Sequence, residues 1–306
     1  MSVAVSPEAV TTELAGATTG GQALGRAWLG YLRRNRQLIV GLILLGILAL
    51  FVIIGHLVYD TSKYRPLSVP AGRPPGPDLW LGSDSQGRDL MAVLILGIPL
   101  TLWIGLLAGF IGLAIGTALA FVAAYYGGWL DATVRAVVDM GLTVPGLLVL
   151  IIVAISIRSQ MTVEQIALVV AALAWLWPTR TIRSQVLSMR ERAYVQVARL
   201  SGMSGRKIIL FEMIPNLLPY LAASLVGAVS SAILAAIGLE ALGLGANDAP
   251  TIGMTIYWVI FYGALLQGMW WWFLPPIVVI VLLFMGLFGL SAGLDEIANP
   301  RLRKSV

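Results

Sequence analysis

Few residues in this 306-residue chain carry side chains that could do covalent chemistry. The sequence has no cysteine and a single histidine, His56, so it offers no thiolate nucleophile, disulfide framework or His/Cys metal site. It also lacks a glycine-rich loop that ends in Gly-Lys-Ser/Thr, and a His-Glu-x-x-His motif. The sequence therefore predicts that the chain is not an enzyme, with no catalytic residue, no bound cofactor and no metal.

The most informative polar stretch is the segment 179–216. Tyr194 to Leu200 places alanine, valine and leucine at helical spacing, and Gly202 can end such a helix in a left-handed conformation. A second short amphipathic segment is predicted from about Ser204 to Pro215. Two short helices with basic and apolar residues are typical of a docking site for a soluble partner. A basic loop held at lipid headgroups is an equally good interpretation of the same residues.

The composition indicates which elements must position these residues. Apolar residues make up 58% of the chain and charged residues 11%, whereas an average soluble domain carries roughly 25% charge. This excludes a soluble enzyme, a disordered chain and a nucleic-acid-binding protein, and it predicts an all-α membrane protein. The net charge of +5 suits loops that contact anionic lipid.

Six apolar segments are predicted to cross the membrane, and together they make residues 38–294 a transmembrane domain. They are Leu38–Tyr59, Leu94–Tyr126, Val134–Ile157, Val163–Pro178, Leu217–Leu242 and Phe273–Leu294. The fourth is short, and it is included because without it the basic 179–216 segment would lie on the opposite side from the amino terminus.

The segments outside these spans have distinct compositions. Residues 1–25 are predicted to be a disordered cytoplasmic tail, and 26–37 a basic amphipathic helix in the headgroup plane, which is compatible with a simple stop-flank for the next span. The remaining segments are an extracytoplasmic loop (60–92), the cytoplasmic 179–216 segment and a cytoplasmic tail (295–306).

The distribution of basic residues predicts the orientation. With the amino terminus inside, fifteen of the 20 lysine and arginine residues fall in cytoplasmic segments and five in outer ones. Because basic residues are retained on the cytoplasmic side, both termini are predicted to be cytoplasmic.

A glycine stripe marks the second span. Gly105, Gly109, Gly112 and Gly116 lie four, three and four residues apart, on one helix face. Small residues allow the close backbone approach that holds helices together in lipid, so this span is predicted to lie inside a bundle. Ordinary membrane-helix composition is the alternative explanation.

Near the outer end of the fifth span lies Glu240, an acid well inside an apolar run. Intramembrane acids commonly mark a transport pathway, so Glu240, Gly243 and Gly245 are the candidate pathway residues. Glu240 could instead reach the interface by snorkelling. The run Trp270 to Trp272 is typical of an interfacial aromatic belt, and a sugar-stacking platform is the alternative.

The 179–216 segment also carries a family resemblance. Tyr-Val-Gln-Val-Ala-Arg-Leu-Ser-Gly, followed by Ile-Pro-Asn, resembles the "EAA" loop of ABC importer permeases. It is most similar to that of the second (C-type) permease subunit of the oligopeptide, dipeptide and nickel importers. The matching residues are Tyr194, Val195, Ala198, Arg199, Gly202, Pro215 and Asn216. Gln196 replaces the glutamate of the family pattern.

Further segments agree with this resemblance in consistent order from about Arg26 to Lys304. They are Leu81–Asp89, Tyr126–Asp131 with Asp139, Leu242–Gly245 and Asn299–Arg303.

The resemblance implies a binding-protein-dependent ABC importer permease of the type I (MetI-like) fold, multi-pass in the inner membrane of a bacterium or archaeon. The implied partners are a second homologous permease subunit, two ATPase subunits that use ATP and Mg, an extracytoplasmic solute-binding protein and the lipid bilayer, with no nucleic acid. The implied solute is an oligopeptide or dipeptide. An oligosaccharide or another small solute is the alternative, with a nickel chelate less supported. The rival of another class is an ion-coupled secondary transporter.

By the same resemblance, the segment near Gly202 to Leu210 is the coupling helix that fits an ATPase subunit. The expected coupling residues are Tyr194, Ala198, Arg199, Gly202, Met203, Ser204, Arg206, Lys207, Ile208 and Pro215. Among them, Ser204, Arg206 and Lys207 are expected to face the ATPase.

Overall fold

The computed structural model describes residues 35–157 and 160–298, a range whose regular structure is helical apart from one isolated bridge between Ser83 and Asp89. The α-helices are α1 (Arg36–Val58), α2 (Leu90–Tyr126), α3 (Gly128–Thr143), α4 (Gly146–Ser156), α5 (Val163–Ala174), α6 (Leu176–Arg190), α7 (Ala193–Leu200), α8 (Gly205–Ala241), α9 (Ile252–Phe261) and α10 (Trp270–Ala298). The predicted tail 1–25, most of the predicted helix 26–37 and the end of the predicted tail 295–306 lie outside the described residues.

Four of these helices, α1, α2, α8 and α10, are long and apolar enough to cross a membrane. Two pairs also pass this test together but are bent: α3 with α4 by 86°, and α5 with α6 by 42°. The described part of the chain thus has four candidate spans, or up to six if each bent pair is one span. The all-helical membrane architecture agrees with the prediction from composition.

The third predicted span, Val134–Ile157, differs from the structure because it is broken in the middle. Pro145 forces the residue before it out of the helical region, and Val144 accordingly has φ −83° and ψ 132°. Helix α3 therefore stops at Thr143, and α4 starts after Pro145 in a new direction.

The fourth predicted span, Val163–Pro178, continues well beyond its predicted end. Helix α6 runs to Arg190, so the 179–216 segment is mostly helical rather than a loop. Pro178 lies in the first turn of α6, where the missing N–H group would have had no partner within the helix. The chain can therefore bend at Trp175 and remain helical on both sides.

Helix α2 lies at the centre of the bundle and packs against α5, α6 and α8. Its glycine face makes these contacts. A Cβ atom added at Gly109 would lie 2.7 Å from the Val229 nitrogen on α8. One added at Gly112 would lie 2.6 Å from the Ala174 Cβ on α5. Gly105 meets Ile233, and Gly116 meets Pro178 in the same way.

Two hydrogen bonds define the ends of the bundle. Asn35 Nδ2 donates to Glu296 Oε2 at 2.6 Å, which places the start of α1 beside the end of α10. Tyr59 Oη donates to Asp89 Oδ2 at 2.6 Å at the opposite end, where α2 begins. We call the end that carries the Asn35–Glu296 bond the α7 end, because α7 packs there on the end of α2. We call the opposite end the loop end, because it carries residues 59–89.

The loop that joins α1 to α2 is folded around buried acids. Asp84 Oδ1 accepts hydrogen bonds from the backbone N–H groups of Gln86 (2.8 Å) and Arg88 (2.9 Å), and its other oxygen pairs with the Arg88 guanidinium. Asp89 caps α2 by accepting from the Met91 N–H group at 2.9 Å. The acids of the Leu81–Asp89 motif thus hold this loop on the bundle.

Helix α9 and the tryptophan run correct two expectations at the loop end. The sequence did not predict α9, because its ten residues are too few for a span. Trp272 is fully buried and its ring centroid lies 5.9 Å from that of Tyr262, whereas Trp270 is 54% exposed. Trp271 Nε1 donates to the Ser83 carbonyl at 3.3 Å. Of the three tryptophans expected to form an interfacial belt, Trp272 cannot belong to one, and Trp270 is the most exposed.

Candidate functional site

Helix α7 is held rigidly at its end of the bundle by two buried side chains. Val195 is fully buried and Ala198 nearly so. Both join an apolar cluster with Phe121 of α2, Ile182 of α6 and Met213 of α8. One buried cluster therefore contains side chains from four helices, α2, α6, α7 and α8.

The chain reverses after α7 through a glycine turn. Gly202 has φ +76°, its N–H group donates to the Arg199 carbonyl at 3.0 Å, and the Met203 N–H group donates to the Ala198 carbonyl at 3.1 Å. These two bonds form a Schellman motif, which satisfies the last carbonyls of the helix. Helix α8 then begins at Gly205, and Ile208 in its first turns packs in the same cluster as α7.

The end of α2 packs against this turn. The Arg199 guanidinium lies 5.0 Å from the centre of the Tyr125 ring, a distance at which a cation–π interaction forms. A Cβ atom added at Gly205 would lie 2.8 Å from Tyr125 Cε1. Arg199 therefore anchors α7 to α2, although its side chain is exposed on the surface.

Two further contacts join α6 to its neighbours, and the sequence reasoning missed them. Arg190 Nη1 donates to the Ala124 carbonyl at 3.0 Å, near the end of α2. Gln196 Nε2 donates to the Arg190 carbonyl at 3.3 Å. A glutamate at position 196 could not donate this hydrogen bond when ionised, so the Gln196 replacement has a structural consequence. In the sequence, the only sign of the first contact was the presence of Arg190, since arginine side chains can bond to the unpaired carbonyls at helix ends.

The expected coupling residues divide into inward and outward sets. Ala198 and Ile208 point inward, and Tyr194 is partly buried, with no partner for its hydroxyl among the described residues. Burial raises the pKa of the Tyr194 phenol. Ser204, Arg206 and Lys207 are exposed, as are Arg192, Arg199 and Gly202. Met203 is intermediate.

Two apolar side chains on α7 complete the exposed surface. Leu200 is 89% exposed and Val197 is 61% exposed. Together with the exposed Arg192, Arg206 and Lys207, they form what we call the α7 surface. Spacing alone placed Val197 and Leu200 on a helix, but only the packing of Val195 and Ala198 shows which face remains free.

The second short helix expected from Ser204 to Pro215 is not separate. Helix α8 is continuous from Gly205 to Ala241, with a π-helical turn at Ile208–Met213 in which the Ile214 N–H group bonds to the Ile209 carbonyl. A proline clashes with the carbonyl four residues before it, and the wider turn ahead of Pro215 relieves this clash. The α7 end of α8 is thus part of the span itself.

A paired acid and base connect α3 with α6 near the α7 end. Asp131 accepts two hydrogen bonds from the Arg183 guanidinium, from Nε and Nη2, both at 2.6 Å. Both side chains are 19% exposed. Such bidentate pairs fix geometry well, and this one explains Asp131 in the family-like 126–131 stretch.

A large cavity, with a volume of about 830 Å³, lies between α8 and the bent helices. Small and hydroxyl-bearing residues of α8 line one side: Tyr220, Ala223, Ser224, Gly227, Ala228, Ser231, Ala235 and Gly238. Thr181 contributes from α6, Leu147 from α4, and Asp295 from the end of α10. The sequence reasoning missed this stripe, although its period is helical.

The candidate pathway residues are not among those that line this cavity. Glu240 is fully buried, and its Oε1 accepts a hydrogen bond from Thr251 Oγ1 at 2.9 Å. Gly245 packs against the Glu240 side chain, and Gly243 has φ +82°. The assignment of these three residues to the pathway stays a prediction. The described residues contain no group of three or more acids and histidine that could hold a metal ion.

Comparison with known proteins identifies relatives of this chain. It is 33% identical over 187 residues to the oligopeptide transport system permease protein OppC of Mycobacterium tuberculosis. This match covers 61% of the chain and 63% of the relative, just under two thirds of the relative's length. The chain is 32% identical over 219 residues to the dipeptide transport system permease protein DppC of Alkalihalophilus pseudofirmus, covering 71% and 70%. A match to DppC of Bacillus subtilis has 28% identity over 286 residues, covering 89% and 84%.

A family model confirms the resemblance read from the sequence. The family described as "Binding-protein-dependent transport system inner membrane component" matches residues 111–304. This range includes α7, the turn at Gly202, the cavity and Glu240. Since it covers more than half of the sequence, the chain belongs to this family of transport-system inner membrane components and is a multi-pass membrane protein.

Proposed function

We propose that the chain is a permease subunit of an ATP-driven, solute-binding-protein-dependent importer of oligopeptides or dipeptides. The α7 surface is the observation that carries this proposal. It exposes two apolar side chains among basic residues, on a helix that is packed on three others. Exposed apolar residues on a rigid base are typical of a protein interface.

In this proposal each bent pair is one span, so the domain has six transmembrane helices and both termini are cytoplasmic. The Asn35–Glu296 hydrogen bond supports this, because it brings the first and last described helices to the same end as α7. The excess of lysine and arginine at that end supports its assignment to the cytoplasmic side.

The coupling step follows from the packing of α7. Two separate ATPase subunits bind and hydrolyse ATP with Mg, and one of them binds the α7 surface. When the ATPase dimer closes, α7 moves as a body, and the shared cluster passes the displacement to α2, α6 and α8. Rigid helices that move together support a two-state rocking of one half against the other.

The solute path in this proposal is the large cavity beside α8. Its hydroxyl groups, including Ser224 and Ser231, can bond to the amide groups of a peptide, while its apolar walls tolerate varied side chains. A second homologous permease subunit supplies the opposite wall, and an extracytoplasmic binding protein delivers the solute at the loop end. The relatives' names, which state oligopeptide and dipeptide transport, support the choice of solute.

Uptake by proteoliposomes that contain the whole complex tests the function. A labelled tripeptide should accumulate only with ATP and the binding protein, and uptake should continue when an uncoupler removes the proton gradient. A labelled oligosaccharide serves as the alternative solute. Uptake that needs no ATP and stops with the uncoupler would establish an ion-coupled secondary transporter instead.

Thiol labelling tests the orientation, and the chain is well suited to it because it has no cysteine. Ser201→Cys at the turn after α7 and Asp78→Cys in the 59–89 loop both place a thiol at an exposed position. A membrane-impermeant maleimide should label the second variant in intact cells and the first only in inside-out vesicles. The opposite pattern would refute the proposed topology.

A further inference from the structure

Glu240 places a carboxyl group at the end of α8 without any solvent access. Its side chain is fully buried, and among the described residues its Oε2 atom has no hydrogen-bond partner. An ionisable side chain within a membrane span is costly and commonly functional. Because burying this carboxyl is costly and one of its two oxygen atoms has no hydrogen-bond partner among the described residues, we expect it to have a role beyond packing.

Thr251 connects this carboxyl to α9. Its hydroxyl donates to Glu240 Oε1 at 2.9 Å and accepts from the Met254 N–H group at 3.2 Å, so it also caps the helix. Thr255 Oγ1 donates to the Thr251 carbonyl at 2.8 Å. The Thr251 hydroxyl group therefore links the start of α9 to the Glu240 carboxyl of α8 by a hydrogen bond.

Three glycines let the surrounding backbone close tightly. Gly253 packs against Glu240 Oε2, and Gly97 of α2 packs against the Pro250 carbonyl, each without room for a Cβ atom. A Cβ atom added at Gly245 would lie 2.9 Å from Glu240 Cγ. The carboxyl is thus sealed beneath the connection between α8 and α9.

The connection is also held on α2 and changes direction at Gly243, close to the end of α8. The Ile252 N–H group donates to Thr101 Oγ1 at 3.0 Å. Gly243 has φ +82°, which glycine adopts readily, and the Gly243 and Leu244 N–H groups donate to the Glu240 and Leu239 carbonyls at 2.8 and 3.3 Å. Loss of the Glu240–Thr251 hydrogen bond removes a side-chain attachment of the 243–251 segment and favours its turning about Gly243.

We propose that Glu240 is a positioning residue that, with Thr251, latches the 243–251 segment and α9 shut at the loop end. Release of the Glu240–Thr251 hydrogen bond opens this end of the solute path. The inference rests on the proposed import function, but it assigns Glu240 to a gate rather than to the wall of the path.

A buried thiol under the latch provides the test. Ala246 is 5% exposed, and Ala246→Cys gives the only thiol in the chain, so labelling by N-ethylmaleimide in membranes reports opening of the segment. Adding Glu240→Ala or Thr251→Val should raise the labelling rate about tenfold, the effect of losing one hydrogen bond. Thr251→Ser keeps the hydroxyl and should label at the background rate.

Ile233→Ala is the matched control, because Ile233 is as fully buried on α8 as Glu240 but belongs to a different hydrophobic cluster from Ala246. It should leave the labelling rate unchanged. The latch is refuted if Thr251→Val labels at the background rate, or if Ile233→Ala labels as fast as Glu240→Ala. Thr251→Val decides alone if Glu240→Ala does not accumulate in membranes.

A second readout separates a gate from a merely structural contact. In the whole complex, Glu240→Ala should still hydrolyse ATP while peptide uptake falls about tenfold. Full uptake by Glu240→Ala would overturn the proposal. Labelling needs neither ATP nor solute, so an absence of ATP-driven uptake by the unmodified complex would count against the import function and not against the latch.

Discussion

At the residue scale, the α7 surface depends on a few side chains and one backbone conformation. Val195 and Ala198 anchor the helix, and Arg199 adds a cation–π contact to Tyr125. Gly202 then turns the chain so that α8 starts against Tyr125 at the end of α2. Each of these residues acts through position, and none would take part in a chemical step.

Gly202→Ala tests the backbone requirement. No atom lies within 4 Å of a Cβ atom added at this position, so the cost is purely conformational. A left-handed alanine costs about 1 kcal/mol, and we expect a lower thermal unfolding temperature in detergent and less ATPase subunit bound.

Gly202→Asn is the control, because asparagine adopts the left-handed conformation more readily. It should lie close to the unmodified chain in both measurements. Equal losses for alanine and asparagine would show that the turn conformation is not what matters at this position.

At the element scale, close helix contacts hold α2 in the centre of the bundle. Burying leucine gains little in lipid, so backbone approach at small residues contributes most of the association. Gly105 and Gly109 meet α8, whereas Gly112 and Gly116 meet α5 and the start of α6. The glycine face of α2 thus packs against α8 at Gly105 and Gly109, and against the bent pair α5–α6 at Gly112 and Gly116.

Gly109→Ala should weaken this arrangement. The new Cβ atom would lie 2.7 Å from the Val229 nitrogen, so the α8 backbone must move, at a cost of about 1–3 kcal/mol. The measurement is thermal unfolding of the purified chain in detergent, where the midpoint should fall.

Gly46→Ala on α1 is the matched control, because no atom lies within 4 Å of its added Cβ atom. It should leave the unfolding midpoint unchanged or raise it slightly, since alanine favours the helix. If Gly46→Ala were as destabilising as Gly109→Ala, the loss would come from helix composition rather than from packing.

At the scale of the whole molecule, the sequence predicts well the elements that depend on long apolar runs. The first predicted span, Leu38–Tyr59, and α1, Arg36–Val58, differ by only one or two residues at each end. The third and fourth spans were less accurate, because a proline breaks one after Thr143 and the other continues into basic residues. Local composition does not reveal where a membrane helix bends.

Parts of the candidate site depend on tertiary contacts that a single sequence does not contain. The turn at Gly202 follows from residue type and spacing, and the structure has it at that position. The free face of α7 and the wall of the cavity depend on which helices pack together. The burial of Glu240 depends on a short helix, α9, that composition did not predict.

The amount of ATPase that co-purifies with the chain shows whether an ATPase subunit binds the α7 surface. Leu200→Asp puts a charge at the 89% exposed apolar position on α7, and Leu266→Asp makes the same change at a 92% exposed position outside it, between α9 and α10. We predict that Leu200→Asp releases most of the ATPase and that Leu266→Asp retains it. Full retention by Leu200→Asp, or equal loss from both variants, would show that the α7 surface is not where the ATPase binds.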